Sequence, residues 1–213
     1  MGQKRTHGKS PEEQGRIVRE GYDKIAQDYL EQREQYCNDR EIQEFIDLLP
    51  EKAKVLDIGC GGGVPILKMM LEKGFVATGI DFSKSMLELA KKNVPEAELI
   101  YGDVTKTDFE SNSFDGIIST YAIIHIHKSL HPVIYSRIHD WLKPSGVMLM
   151  GTSHSDWEEI AEYHGVDMAW SHPAPPASLQ MVRNTGLEVI FDRLVPTGND
   201  ETVYWILAKK PSD

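Results

Sequence analysis

An apolar run that ends in glycines, Val55-Leu56-Asp57-Ile58-Gly59-Cys60-Gly61-Gly62-Gly63, carries the first chemical signal in this chain. A strand that runs into glycines and then opens a helix exposes backbone N–H groups to a ligand, and glycine tolerates the dihedral angles of such a turn. About twenty residues further on, Gly79-Ile80-Asp81 places a carboxylate at the end of a second strand, where one carboxylate accepts hydrogen bonds from both hydroxyls of a ribose. Ser83 is available to cap the helix that follows, which leaves Asp81 for a ligand. A dinucleotide fingerprint would need glycine at position 64, but Val64 and Pro65 stand there, and no Gly-Lys-Ser/Thr follows to cradle a triphosphate. These residues therefore suit a nucleoside cofactor without a pyrophosphate.

A second set of polar residues lies later in the chain. His125 and His127 alternate as in an extended segment, and His131 follows. No HExxH pattern or cysteine pair accompanies them, so no metal centre is expected. The segment after the fourth strand lies above the strand ends, where ligands bind in open α/β sheets. Tyr121, His125, His154 and His172 are thus the candidate catalytic residues on the acceptor side, and Trp157 and Trp170 are candidates to exclude water from above.

Positioning these groups requires alternating strands and helices. Strands are predicted at Lys54–Ile58, Val76–Ile80, Ala97–Tyr101, Gly116–Thr120 and Val147–Gly151, with helices at Val64–Lys73, Lys84–Asn93 and Leu130–Leu142 between them. That rhythm means βαβ units and a mostly parallel, doubly wound α/β sheet. Upstream, Ser10-Pro11-Glu12-Glu13 reads as a helix start with a capping box, and a second helix runs from Asp39 to Leu49 with Asn38 as its cap. Downstream, Trp157–Gly186 is irregular, with three prolines in Ser171–Pro176 and a helix from Ala177. Leu187–Val195 and Thr202–Lys209 form a closing hairpin, so the last strand should be antiparallel. The expected organisation is a tail over residues 1–9 and one domain over 10–213. Within it, residues 10–50 cap the site, 51–152 form the core, 153–186 supply a substrate lid and 187–213 the hairpin.

The whole chain narrows the function. At 213 residues it holds one full-sized domain, and a net charge of -10 disfavours phosphate backbones, so a small-molecule partner is expected rather than nucleic acid. Two unpaired cysteines, Cys37 and Cys60, fit a reducing cytoplasm, and no apolar run approaches the roughly 18 residues of a membrane span. Met1-Gly2-Gln3-Lys4-Arg5-Thr6 satisfies the short myristoylation pattern, though a frayed polar tail is the plainer expectation. Oligomeric state is not legible.

Taken together, these segments resemble class I S-adenosylmethionine-dependent methyltransferases. Asp57-Ile58-Gly59-Cys60-Gly61, with Gly63 beyond, is similar to the family's first motif. Gly79 to Met86 is similar to the second, with Asp81 as the ribose acid beside Phe82 and Ser83. Gly102-Asp103-Val104 resembles the third motif, which meets the adenine, and Ser113–Ser119 resembles the fourth, which floors the transfer site at Thr120 and Tyr121. Leu142-Lys143-Pro144-Ser145-Gly146 resembles a Leu-Lys-Pro-Gly-Gly turn with Ser145 in place of glycine. The resemblance implies a seven-stranded Rossmann-like sheet, S-adenosylmethionine as cofactor and S-adenosylhomocysteine as product. It also implies Met86 beside the adenine, and Tyr29 and Arg33 near the methionine end. The catalytic Asn/Asp-Pro-Pro-Tyr of base-modifying members is absent, its place held by Ser119-Thr120-Tyr121-Ala122, which points away from exocyclic amines of DNA or RNA. A non-catalytic adenosylmethionine-binding module and a nicotinamide-dependent oxidoreductase are the alternatives, the second opposed by Val64.

Overall fold

The computed structural model describes residues 9–33, 39–198 and 201–212. Helices α1 (Pro11–Arg33) and α2 (Asp39–Ile46) precede strand β1 (Lys54–Ile58). There follow α3 (Ile66–Glu72), β2 (Val76–Asp81), α4 (Lys84–Asn93), β3 (Glu98–Tyr101), β4 (Phe114–Thr120), α5 (His131–Trp141) and β5 (Leu142–Ser153). The chain ends with β6 (Trp157–Tyr163), β7 (Val166–His172), α6 (Pro175–Asn184), β8 (Glu188–Gly198) and β9 (Glu201–Lys209). Ser10 caps α1 as its sequence suggests, its Oγ accepting from the Glu13 amide at 3.2 Å.

Seven strands form one sheet in the order β3-β2-β1-β4-β5-β9-β8. The pairs among β1 to β5 are parallel, and β9 alone runs antiparallel to its neighbours β5 and β8. This is the doubly wound sheet expected, with the last strand reversed. Helices α2, α3 and α4 cover one face through Phe45, Leu67, Met70 and Ala90, while α5 and α6 cover the other through Ile134, Ile138, Trp141 and Val182. Because both faces are covered, β1 and β4 are buried on both sides rather than alternating between buried and exposed positions.

The structure departs from expectation after β5. Residues 157–172 are not irregular; they form a separate hairpin, β6 paired antiparallel with β7 from Trp157↔His172 to Tyr163↔Val166. His164 and Gly165 both have positive φ, 51° and 76°, as a tight two-residue hairpin turn requires. The prolines that argue against helix up to Pro176 instead start one, since Pro175 and Pro176 occupy the first turn of α6, where their missing N–H groups cost nothing. Strand β5 begins at Leu142, which pairs with Phe114, so the Lys143–Gly146 turn lies inside the strand as an irregularity. Ser145 there has φ 66°, the left-handed conformation that explains glycine in the resembled pattern. His125 lies not in extended chain but in a single 3-10 turn, Ile123–His125. Asn38, Cys37, residues 1–6 and the turn at 199–200 lie outside the described residues. No described helix is long and apolar enough to cross a membrane.

Helix α1 is held across the top of the sheet by β7 and α4. Val18 and Ile25 pack with Met168 and Ala169 of β7. Asp23 accepts from the Ser83 hydroxyl at 2.7 Å and the Ser85 amide at 3.2 Å, which ties α1 to the start of α4. Gly21 allows the close approach to β7: a Cβ there would lie 2.9 Å from Met168 Cε and 3.2 Å from the Asp167 carbonyl oxygen. Gly21→Val is expected to lower stability by about 1–3 kcal/mol through overpacking. Urea denaturation measures it, and an unchanged midpoint would mean that α1 and β7 are not in contact.

Candidate functional site

Between β1 and β4 the sheet order reverses, because the chain leaves β1 towards β2 and leaves β4 towards β5. A crevice necessarily opens above the carboxyl ends of those strands. Here it is a cavity whose empty space, open mouth included, is about 880 Å³. Its floor is Ile58, Gly59 and Gly61 after β1, Ile80, Asp81 and Phe82 at β2, Gly102 to Thr105 after β3, and Thr120 to Ala122 after β4. Met86 of α4 closes one side. Pro11, Gly15, Val18, Tyr22 and Tyr29 of α1 form the roof, and His125, Ile126, His127 and Leu130 form the far wall.

Asp81 joins the first two turns. One carboxylate oxygen accepts from the Gly61 amide at 2.9 Å and the other from the Ser83 amide at 2.8 Å. Burial pushes its pKa up to about 6 against those hydrogen bonds. Ser83 caps α4 as expected, its Oγ accepting from the Met86 amide. Asp81 is thus free of the capping duty but engaged with the glycine turn. Gly61 has φ 53°, and a Cβ there would approach only Met86 Sδ, at 3.8 Å, so a side chain would enter the cavity. At Gly59, φ is 71° and a Cβ would sit 2.2 Å from that of Ala122, so β1 and the turn after β4 touch only because glycine stands there.

Asp103 faces the cavity, but one of its oxygens accepts from the Thr105 amide and hydroxyl at 2.9 and 2.7 Å, and Lys106 lies 3.6 Å from the other. Arg137 of α5 supports this loop by donating to the carbonyls of Thr105 and Thr107. Its role has no local sequence signal.

Four cofactor-side candidates lie behind the cavity surface rather than on it. Asp57 is buried at the end of β1. The Cys60 thiol packs against Gly79, where burial raises its pKa. Gly63 lets the turn approach Val94 and Ala90 of α4, and Ser83 is the helix cap. Arg33's side chain lies outside the described residues.

The acceptor-side candidates divide. Tyr121, with φ 63°, and His125 line the cavity. His154 does not; it is exposed, and its Nδ1 donates to the Thr202 carbonyl at 3.2 Å on the far side of β5. His172 is buried at the end of β7, donating from Nδ1 to the Ser155 carbonyl, and it closes the hairpin rather than the cavity. Trp157 is exposed, and Trp170 packs behind His125 with ring centroids 5.8 Å apart.

His125 is the junction of the roof. Nδ1 lies 2.7 Å from the Ala169 carbonyl of β7, and since a carbonyl only accepts, this nitrogen carries the proton. Burial lowers the imidazole pKa to about 4, so the ring is neutral and Nε2 accepts from the Tyr22 hydroxyl at 2.9 Å. Gln14 donates to the His125 carbonyl at 2.9 Å. Tyr22 lines the cavity and is brought to His125 from 103 positions away in the sequence. Tyr29 stands edge-on to it at 5.2 Å. His127, also cavity-lining, accepts at Nδ1 from the Ser129 amide. Among the described residues no cluster of three metal-type ligands occurs.

Comparison with known proteins agrees with this geometry. Residues 55–146 match a family model described as a methyltransferase domain. The chain is 32% identical over 162 residues to phosphoethanolamine N-methyltransferase 3 of Arabidopsis thaliana, covering 70% of this chain and 32% of that protein. It is 35% identical over 118 residues to malonyl-[acyl-carrier protein] O-methyltransferase of Halalkalibacterium halodurans, covering 52% and 42%. It therefore spans less than half the length of either. Among solved structures, Burkholderia thailandensis 1,6-didemethyltoxoflavin-N1-methyltransferase, with its substrate and S-adenosylhomocysteine, superposes with a TM-score of 0.79 at 19% identity, covering 98% of this chain and 94% of that one. At that identity the likeness is one of fold.

His125 and His131 both carry pKa values lowered to about 4 by burial, from 6.5 when unfolded. Between these values the unfolded chain binds more protons, so stability present above pH 6.5 is lost as pH falls towards 4. Each histidine should contribute a slope of up to about 1.4 kcal/mol per pH unit. Urea midpoints from pH 7 to 4.5 measure it, and His125→Gln should flatten the curve; an identical curve would place His125 in water.

Proposed function

We propose that this chain, a member of the class I S-adenosylmethionine-dependent methyltransferase family, transfers the methyl group of S-adenosylmethionine by direct displacement to a small-molecule acceptor held under α1. The observation that carries this reading is Asp81, a recessed carboxylate at the end of β2 that faces the cavity beside a glycine turn open to a ligand. The residues present fit the cofactor: Asp81 suits a ribose diol, Ile80, Met86 and Val104 suit the faces of an adenine, and Tyr29 suits the methionine carboxylate. When bound, the cofactor supplies an electrophilic sulfonium methyl. Everything else is the work of this chain. Holding donor and acceptor in reacting geometry within the cavity would be worth on the order of 7–11 kcal/mol at best.

His125 is assigned a positioning role. A buried imidazole with a pKa of about 4 is a poor resting place for a proton at neutral pH. Held by Ala169, it fixes the Tyr22 hydroxyl in the roof of the cavity. Tyr121 lines the same end. His154 and His172, which do not line the cavity, bear on transfer only indirectly, through β9 and the hairpin. The net charge of -10 supports a small acceptor over nucleic acid, and the free buried thiol of Cys60 supports work in a reducing cytoplasm.

Calorimetry with S-adenosylmethionine, followed by turnover on a metabolite panel, tests the reading. Asp81→Ala is expected to weaken cofactor binding at least tenfold, since hydrogen bonds to a charged group are worth about 1.5–3 kcal/mol each. In the native protein, affinity should fall as pH drops through about 6, because protonating Asp81 removes the acceptor, with up to about a tenfold loss per pH unit. A folded Asp81→Ala protein that binds normally would sink the proposal.

A separate expectation concerns Tyr22 and His125. Tyr22→Phe and His125→Ala should raise the acceptor KM while leaving cofactor affinity near its native value. At saturating S-adenosylmethionine, which removes the effect of Asp81 on cofactor binding, the native kcat/KM profile for the acceptor should show no limb near pH 6.5. A histidine limb there, abolished in His125→Ala, would make His125 the base instead.

A further inference from the structure

The roof of the cavity has a gap. Pro11, Gly15, Val18, Tyr22 and Tyr29 follow one stripe of α1, and all line the cavity. A Cβ built at Gly15 meets nothing within 4 Å, and its φ lies outside the left-handed region. Gly21 on the same helix has a packing reason to lack a side chain, in Met168 and Asp167; Gly15 has none. Glycine also weakens any helix that contains it. The missing side chain therefore leaves space in the cavity wall at a cost in helix stability. Gly15 sits beside Gln14, whose side chain is bound to the His125 carbonyl, so the gap is fixed over the His125 end. Val18, Ile126 and Leu130 give the surroundings an apolar character.

We propose that Gly15 determines acceptor size, its absent side chain admitting an acceptor with an apolar, ring-sized body between α1 and the wall at Ile126 and Leu130. This rests on the methyl-transfer reading and says which acceptors fit, not whether transfer occurs. The space lies over the His125 loop, to which Gln14 is bound, whereas the residue of α1 tied to the start of α4 is Asp23, eight positions further along. That space should accept a bulky group carried on the cofactor sulfur.

The test needs no natural acceptor. Binding of S-adenosylhomocysteine is compared by calorimetry with that of an adenosylmethionine analogue carrying benzyl in place of the transferable methyl. The native protein should bind both. In Gly15→Met the ratio of benzyl-analogue to adenosylhomocysteine affinity should fall tenfold or more, with Gly15→Ala between the two. Gly15→Ala should also raise Tm by about 2–4 °C, since alanine is the better helix former. An unchanged ratio in Gly15→Met overturns the proposal, as does a native protein that binds adenosylhomocysteine but not the benzyl analogue. A lower Tm in Gly15→Ala also overturns it, since glycine would then be required by the fold. Failure of the native protein to bind adenosylhomocysteine would instead remove the methyl-transfer reading beneath it.

Discussion

Two backbone amides grip the carboxylate of Asp81, and the geometry of the cavity floor follows from that contact. Gly61 belongs to the turn after β1 and Ser83 to the start of α4, so one side chain sets where two separate turns lie. The contact demands a residue at position 61 that accepts φ 53° and leaves the amide uncovered. It also holds a charge in a place that disfavours charge, which is why the group's pKa rises. A ligand that brings two more donors relieves that tension. That is the property the proposed ribose diol would use.

The roof has its own fixed point, the neutral ring of His125. It receives from α1 through Tyr22 and donates to β7 through Ala169, and its backbone carbonyl takes Gln14. Two elements distant in sequence, α1 and β7, meet on one residue of the loop after β4. Low basicity is useful here, because a ring that stayed protonated would repel the phenolic proton and break the chain of hydrogen bonds.

How much of this was legible depends on how local each signal is. Val55–Gly63 and Gly79–Asp81 are strand-turn units whose residues touch neighbours in sequence, so the floor and its acid were readable. The hairpin was not. Glu158, Glu159 and Glu162 interrupt β6, and both Met168 and Ala169 of β7 are buried, so its polarity pattern matches neither an exposed loop nor a one-faced strand. Tyr22 and His125 are separated by 103 positions, and no periodicity reports a hydrogen bond across that distance. His154 looked equivalent to His125 because both follow strands of the same sheet. The difference is that β5 continues to Ser153 and delivers His154 beside β9, outside the crevice.

That roof also imposes an order on synthesis. Helix α1 leaves the ribosome well before its partners in β7, which are made more than 130 residues later. At about 5–20 residues per second the helix waits on the order of ten seconds with its packing face uncovered. A strongly apolar helix in that position would be a standing invitation to aggregation. The stripe that α1 presents is modest, with Ile17, Val18, Tyr22, Ile25 and Tyr29 set among Arg16, Arg19, Glu20 and Lys24. The helix is made long before it can be buried, and its sparing use of large apolar side chains suits a long exposure to water.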